Sequence, residues 1–201
     1  MPPKVKVRKE DIFRKAFALV QREGEGVLNA RRLAAEIGCS TQPIYSHYRS
    51  MNELRQEIIA EAKKIYAERI FTAVRTSDTP YKASGLAYIA FASEEPQLFR
   101  LLFMRDRGTD TEDGDAGEIE PLLDMLQEKL GVSREEALLF HVELWTVCHG
   151  IATMIVTRYY PWKKEEIDRV LNDSYRGIAA YYKEHRESNG SNPNREPDKE
   201  V

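Results

Sequence analysis

Residues 27–49 read Val-Leu-Asn-Ala-Arg-Arg-Leu-Ala-Ala-Glu-Ile-Gly-Cys-Ser-Thr-Gln-Pro-Ile-Tyr-Ser-His-Tyr-Arg, and their spacing describes two short helices joined by a tight turn. Asn29 can cap the first by accepting from one of the backbone N–H groups that a helix start leaves without a partner. Leu33, Ala34 and Ile37 then form an apolar stripe at helical spacing. Gly38 ends this helix, because glycine adopts the left-handed closing conformation at little cost. Ser40 is placed to cap the second helix, and Pro43 then falls in its first turn, where a missing N–H has no helical partner to lose. Ile44 faces inward, leaving Thr41, Gln42 and Ser46 on an outer face flanked by Tyr45, His47 and Arg49. That is a helix-turn-helix, whose second helix is presented to a DNA major groove.

The segment resembles the DNA-binding domain of the tetracycline-repressor-like (TetR) family of bacterial transcription regulators. The likeness rests on Leu33-Ala34-Ala35, on the turn Gly38-Cys39-Ser40, and on Tyr45-Ser46-His47-Tyr48. Gln42-Pro43 departs from the family pattern, where glycine is common near Gln42, so base contacts do not carry over. Further along, Trp145 to His149-Gly150 resembles the Trp/His-Gly signature of one regulatory-domain subgroup, and Tyr88 to Ala92 with Pro96 to Phe103 resembles its preceding helices. The resemblance implies an all-α chain of about nine helices: a three-helix DNA-binding domain, then a helical ligand-binding and dimerisation domain.

Charge divides the 201 residues the same way. Residues 1–50 hold ten basic against five acidic side chains, a net +5, while the remainder holds 20 basic against 28 acidic, a net −8. Phosphate neutralisation dominates nucleic-acid affinity, so binding belongs to the N-terminal quarter and the acidic body does something else. Two cysteines, Cys39 and Cys148, and no signal-peptide pattern point to a reducing, cytoplasmic setting. No apolar run is read as reaching the roughly 20 residues of a membrane helix, which predicts a soluble protein without a membrane partner. The expected division is 1–50 DNA-binding, 51–187 regulatory, and 188–201 a disordered tail lacking aromatic residues.

Periodicity places a first helix at Arg8 to Glu23, with Ile12, Phe13, Ala16, Phe17 and Val20 on one face. Ser50-x-x-Glu53 is a capping box that opens a long fourth helix toward Val74. With no Gly- or Pro-rich hinge, this helix is expected to carry rigid-body motion between the domains. An apolar helix follows Pro80, and Glu95-Pro96 breaks it before Leu98 to Met104. Residues 106–117 form an acidic loop lacking the glutamate of a calcium-binding turn, and a solvated loop is expected. A seventh helix spans Ile119 to Leu130. A second capping box, Ser133-x-x-Glu136, opens an eighth that continues to Tyr160, and the last runs from Lys163 to Glu187.

Tyr88, Phe91, Phe99, Phe103, Met104, Met125, Trp145, His149 and Met154 supply more bulky apolar surface than two helix seams need. As a group they are expected to enclose a small-molecule pocket; for any one of them plain core packing is the alternative. Gly150 lies mid-helix at a cost of roughly 1 kcal/mol, which predicts a close helix crossing or room for a ligand. His141 and His149 are two turns apart, too far for a compact metal site, so neither metal nor cofactor is expected. No nucleophile elbow, phosphate-binding Gly loop or metal-spaced Cys pair suggests an enzyme.

The expected function is a sequence-specific regulator, a repressor released by an apolar effector. A DNA-binding protein whose second domain only dimerises is the competing reading. Thr41, Gln42, Pro43 and Ser46 are expected nearest base edges, with Arg31, Tyr45, His47 and Arg49 nearest phosphates. A homodimer seam is expected along Leu138, Val142, Ile151, Ile155, Tyr159, Ile167, Leu171, Ile178 and Tyr182 of the last two helices. The partners are thus a pseudo-palindromic operator, an effector and a second copy of the chain.

Overall fold

The computed structural model describes residues 7–106 and 116–190, with side chains for 7–106 and 119–185. Among them are nine α-helices and no strand: α1 Lys9–Glu23, α2 Ala30–Ile37, α3 Gln42–His47, α4 Met51–Thr76, α5 Pro80–Glu94, α6 Pro96–Phe103, α7 Ala116–Leu130, α8 Arg134–Val156 and α9 Lys164–Gly190. The acidic loop lies mostly outside the described residues.

Local chemistry sets most of these bounds. The Asn29 side chain accepts from the Arg32 N–H at 2.9 Å and starts α2. Gly38 stops it at φ 80°, its N–H donating to the Ala34 and Ala35 carbonyls. Ser133 and Glu136 form a complete capping box on α8. Ser50 caps Glu53 N–H, but the Glu53 carboxylate accepts from Arg49 N–H rather than Ser50, which clamps the turn one residue earlier. Thr41, not Ser40, occupies the residue before α3, and no side chain caps that helix.

Two boundaries and one composition reading differ from expectation. α8 ends at Val156 instead of Tyr160: Arg158 turns to φ 56°, and the guanidinium of Arg100 on α6 donates to the Val156 carbonyl at 2.8 Å. That carbonyl is one of those a helix end leaves unpaired, so a distant side chain fixes the stop. α9 continues through residues 188–190, which were expected in the tail. α8 is also long and apolar enough, by length and composition, to cross a membrane, with a mean hydropathy of 1.4 over its most apolar window. The expectation that no such run exists is therefore corrected. Its inner face packs against α5, α7 and α9.

One apolar cluster runs without a break from Ile12, Leu33 and Ile44, through Leu54 and Ile58 of α4, to Phe91, Phe99 and Ile151. A second holds Leu123, Leu126, Phe140, Leu144 and Tyr182 around α7 to α9. Packing therefore crosses residue 50 even though the charge changes sign there.

Candidate DNA interface and effector cavity

Ile44 and Tyr48 anchor α3, fully buried beneath α1 and α2, so that the rest of the helix faces out. Gln42, Tyr45, Ser46, His47 and Arg49 are exposed, as is Arg31 on α2, while Thr41 and Pro43 are half-buried. Of the eight expected contact residues six are thus exposed and two half-buried. Two of them are already occupied. The Ser46 hydroxyl donates to the Gln42 carbonyl at 2.9 Å, leaving its lone pairs to accept. His47 Nε2 lies 3.0 Å from the Val7 carbonyl, so its N–H is spent on the chain itself.

The basic residues of the N-terminal 50 separate in the same manner. Arg8 and Arg14 hold Asp11, Lys9 holds Glu57, and Arg22 and Arg32 share Glu23 and Glu36. The Arg8 and Arg22 hydrogen bonds hold the Asp11 and Glu23 carboxyls below their ordinary range. Arg31 and Arg49 carry no such pair among the described residues, which leaves their charge available to a phosphate.

A cavity of about 1090 Å³ opens where the two apolar clusters meet. Its walls come from Tyr66, Ile70, Phe71 and Val74 of α4, Tyr81, Gly85 and Tyr88 of α5, and Leu102 and Phe103 of α6. Leu122 and Met125 of α7, His141, Trp145 and Cys148 of α8, and Tyr175 of α9 complete them. Of the residues expected to contact a ligand, Tyr88, Phe103, Met125 and Trp145 line this space. Phe91 and Phe99 do not, being fully buried in the core, and Met104 is exposed beyond the end of α6. His149 stands behind the wall: its Nδ1 is 2.8 Å from the Tyr88 hydroxyl, and its ring stacks on Trp145 with centroids 4.9 Å apart. Met154 is half-buried outside the lining.

A second such pair was not anticipated. The Tyr81 hydroxyl lies 3.2 Å from His141 Nδ1, so α5 and α8 are joined by two tyrosine–histidine rungs. Burial pushes both histidines down and both tyrosines up in pKa, which favours the neutral form of all four. The sequence does hold a signal, tyrosines seven apart on one helix and histidines eight apart on another, but it does not say that these helices touch. Cys148 is buried between them, its thiol pushed up to about 12 by desolvation and hence unreactive. The close crossing expected at Gly150 occurs instead at Gly85, where an added Cβ would sit 3.1 Å from Cys148 Sγ; Gly150 faces open space. Among the described residues no three His, Cys, Asp or Glu side chains gather as a metal site.

α6 makes a further unanticipated connection. Its C-terminal end lines the cavity, while its N-terminal end presses on α1: a Cβ on Gly24 would meet Gln97 Oε1 at 2.8 Å. Beside it Glu95 accepts from Gln21 at 2.8 Å and pairs with Arg69 of α4 at 3.3 Å, and that guanidinium lies over the Phe91 ring. One carboxylate thus touches α1 and α4 together.

The expected dimer seam is redistributed. Leu138, Val142 and Tyr159 are exposed, but Ile151, Leu171 and Tyr182 are buried within the chain, and Ile155, Ile167 and Ile178 are half-buried. Leu139 and Tyr181 are also exposed.

Residues 81–176 match the family described as "Tetracyclin repressor-like, C-terminal domain". An uncharacterized HTH-type transcriptional regulator of Mycobacterium tuberculosis is 23% identical over 158 residues, which span 76% of this chain and 72% of that protein. The fold is similar to that of a Pseudomonas aeruginosa PAO1 protein assigned to the transcriptional regulators, with TM-score 0.66, 17% identity, and 87% and 93% of the two chains covered. A TetR-like transcriptional regulator from Rhodococcus sp. RHA1 is similar at TM-score 0.63 and 15% identity, covering 89% of this chain and 98% of that one.

Proposed function

We propose that this chain, whose residues 81–176 match the tetracycline-repressor-like C-terminal domain, is a cytoplasmic, homodimeric TetR-like repressor that leaves its operator when an apolar small molecule fills the cavity. The observation that carries the proposal is the position of α4. Leu54 and Ile58 fix its first half in the core of the reading head, and Tyr66 to Val74 of its second half form a cavity wall. A ligand that prefers one tilt of this helix moves the head, because the helix has no internal break. The α6 contact gives a second route from Phe103 to Gln97 and α1.

Two copies paired through the exposed Leu138, Leu139 and Val142 face of α8, with Gly150 leaving room for the partner's helix, would set two α3 helices about a two-fold axis. They would then meet successive major grooves. Gln42 can donate and accept together, as the major-groove edge of adenine requires, and Arg31 and Arg49 supply phosphate contacts.

Selection of bound sequences from random DNA tests the reading. A pseudo-palindrome is expected, with Gln42→Ala relaxing its preferred bases and Arg49→Ala weakening all DNA alike while reducing the salt slope by about one. An unchanged preference in Gln42→Ala removes the base assignment. Metabolites that release the selected DNA should also lose affinity in its presence by the same factor. If Phe103→Ala and Trp145→Ala both fold and respond unchanged to such a metabolite, the sensing site lies elsewhere.

A further inference from the structure

We propose that the ligand of this cavity is uncharged: a broad or long apolar body carrying one hydrogen-bond acceptor, a carbonyl or ether oxygen, received by His141. This rests on the effector reading above and adds the chemistry of the molecule. The cavity at about 1090 Å³ lies at the upper end of small-molecule sites, and most of its wall is aromatic or aliphatic. Such a wall selects size but does not orient a ligand; orientation needs a polar group without a protein partner.

The Tyr175 hydroxyl has no hydrogen-bond partner among the described residues but is sealed off inside the wall, away from the cavity surface, and the polar groups within reach of a ligand are nearly all engaged. Tyr88 and His149 bond each other, Ser84 donates to the Tyr81 carbonyl, and Lys82 is paired with Asp168 at 2.5 Å. Lys129 stands over the Tyr175 ring on the exposed side, and Lys63 and Lys129 balance Asp78 and Glu128 around the rim. No net charge is left to neutralise an ion.

His141 is different. Tyr81 occupies its Nδ1, and Nε2 has no protein partner among the described residues. A phenol is the better donor of the pair, so the Tyr81 O–H donates a hydrogen bond to Nδ1 and the neutral ring carries its own proton on Nε2. The result is one N–H donor, fixed in tautomer and held by a packed tyrosine, on the lining of an otherwise apolar space. An acceptor oxygen completes it. A carboxylate would be desolvated there without a standing positive charge, which disfavours it.

Calorimetric titration of the full chain with an alkane, a methyl ketone and a carboxylate of one chain length tests this. The ketone is expected to bind about tenfold tighter than the alkane, the worth of one hydrogen bond at the upper end of its range, and tighter than the carboxylate near neutral pH. His141→Phe should erase the preference for the ketone while leaving the alkane bound. Should that variant fail to fold, His141→Ala adds no bulk and gives the same comparison. Equal binding of ketone and alkane, a carboxylate binding as tightly as the ketone, a preference that survives loss of His141, or no binding by any of the three overturns the proposal. Release of the selected DNA is measured separately. Ketone binding through His141 without release keeps this assignment and removes the effector reading, whereas release by a carboxylate alone does the reverse.

Discussion

The reading head and the bundle behind it are built from the same kinds of side chain yet packed to different ends. In the head, Ile12, Leu19, Leu33 and Ile44 are wholly enclosed, and α1 and α2 are each closed by a glycine. In the bundle, longer helices separate enough to leave a cavity, and large apolar groups such as Phe71 and Trp145 stay partly exposed around it. A DNA reader must hold its outer face to within a fraction of an ångström, which close packing provides. The proposed sensor must leave contacts unmade so that a ligand can make them, and the cavity offers such unmade packing.

Truncation should separate the two most sharply. Ile44→Ala removes a fully enclosed side chain from the head and is expected to cost about 2–5 kcal/mol and abolish DNA binding. Phe71→Ala, on a cavity residue 60% exposed, should cost under about 1 kcal/mol. Urea denaturation of both measures the contrast, and equal losses would dissolve it.

The turn between α2 and α3 is the next largest effect. At φ 80° Gly38 has open space where a Cβ would go, so Gly38→Ala meets backbone strain alone, about 1–2 kcal/mol. The same change at Gly150, in the open helix face of the bundle, should raise monomer stability by up to about 1 kcal/mol. If Gly150 meets a partner's helix, as the dimer requires, the alanine will weaken dimerisation as well, which light scattering on dilution reads.

Acid should loosen the bundle before the head. Burial lowers the pKa of His141 and His149 below the ordinary 6.5. Above that value folded and unfolded chains both hold the rings neutral, and pH has no effect through them. As pH falls through 6.5 the unfolded chain takes up protons that the folded one refuses, so stability declines until the folded rings protonate too. Hydrogen exchange at about pH 7.5 and about pH 5.5 should show α5 and α8 losing protection first, and an unchanged profile would exclude the two rungs as the acid-sensitive element.

The smallest change in stability should carry a large change in communication. Gln21 is joined to Glu95 by an exposed hydrogen bond, so Gln21→Ala should alter stability by under about 0.5 kcal/mol. It should nevertheless reduce the factor by which a ligand weakens DNA binding, if the α6 contact helps couple the cavity to the head. An undiminished factor would leave α4 as the sole connection.

Sequence was most legible where structure is local. Asn29, Gly38 and Ser133 act on backbone groups within four residues of themselves, so their caps could be read from spacing alone, and the apolar stripes on α1 and α2 followed from periodicity. The head's outward face was legible for the same reason, since a short helix with one buried isoleucine has only one way to lie. The end of α8 was not, because Arg100 reaches it from another helix. Nor could the aromatic residues be sorted between core and cavity. Phe99 and Phe103 stand one turn apart on α6, yet one is sealed in the core and the other faces the cavity. His141 shows in the sequence only a spacing from His149 unsuited to a metal, and its role follows from Tyr81 beside it on another helix. By itself the sequence determined the helices, the caps at Asn29, Gly38 and Ser133, the charge division and which side chains of α3 face outward. Tertiary structure alone decided the cavity wall, the paired histidines and the α1–α6 contact, because each depends on which helices touch and at what depth, and periodicity along one chain carries no record of that.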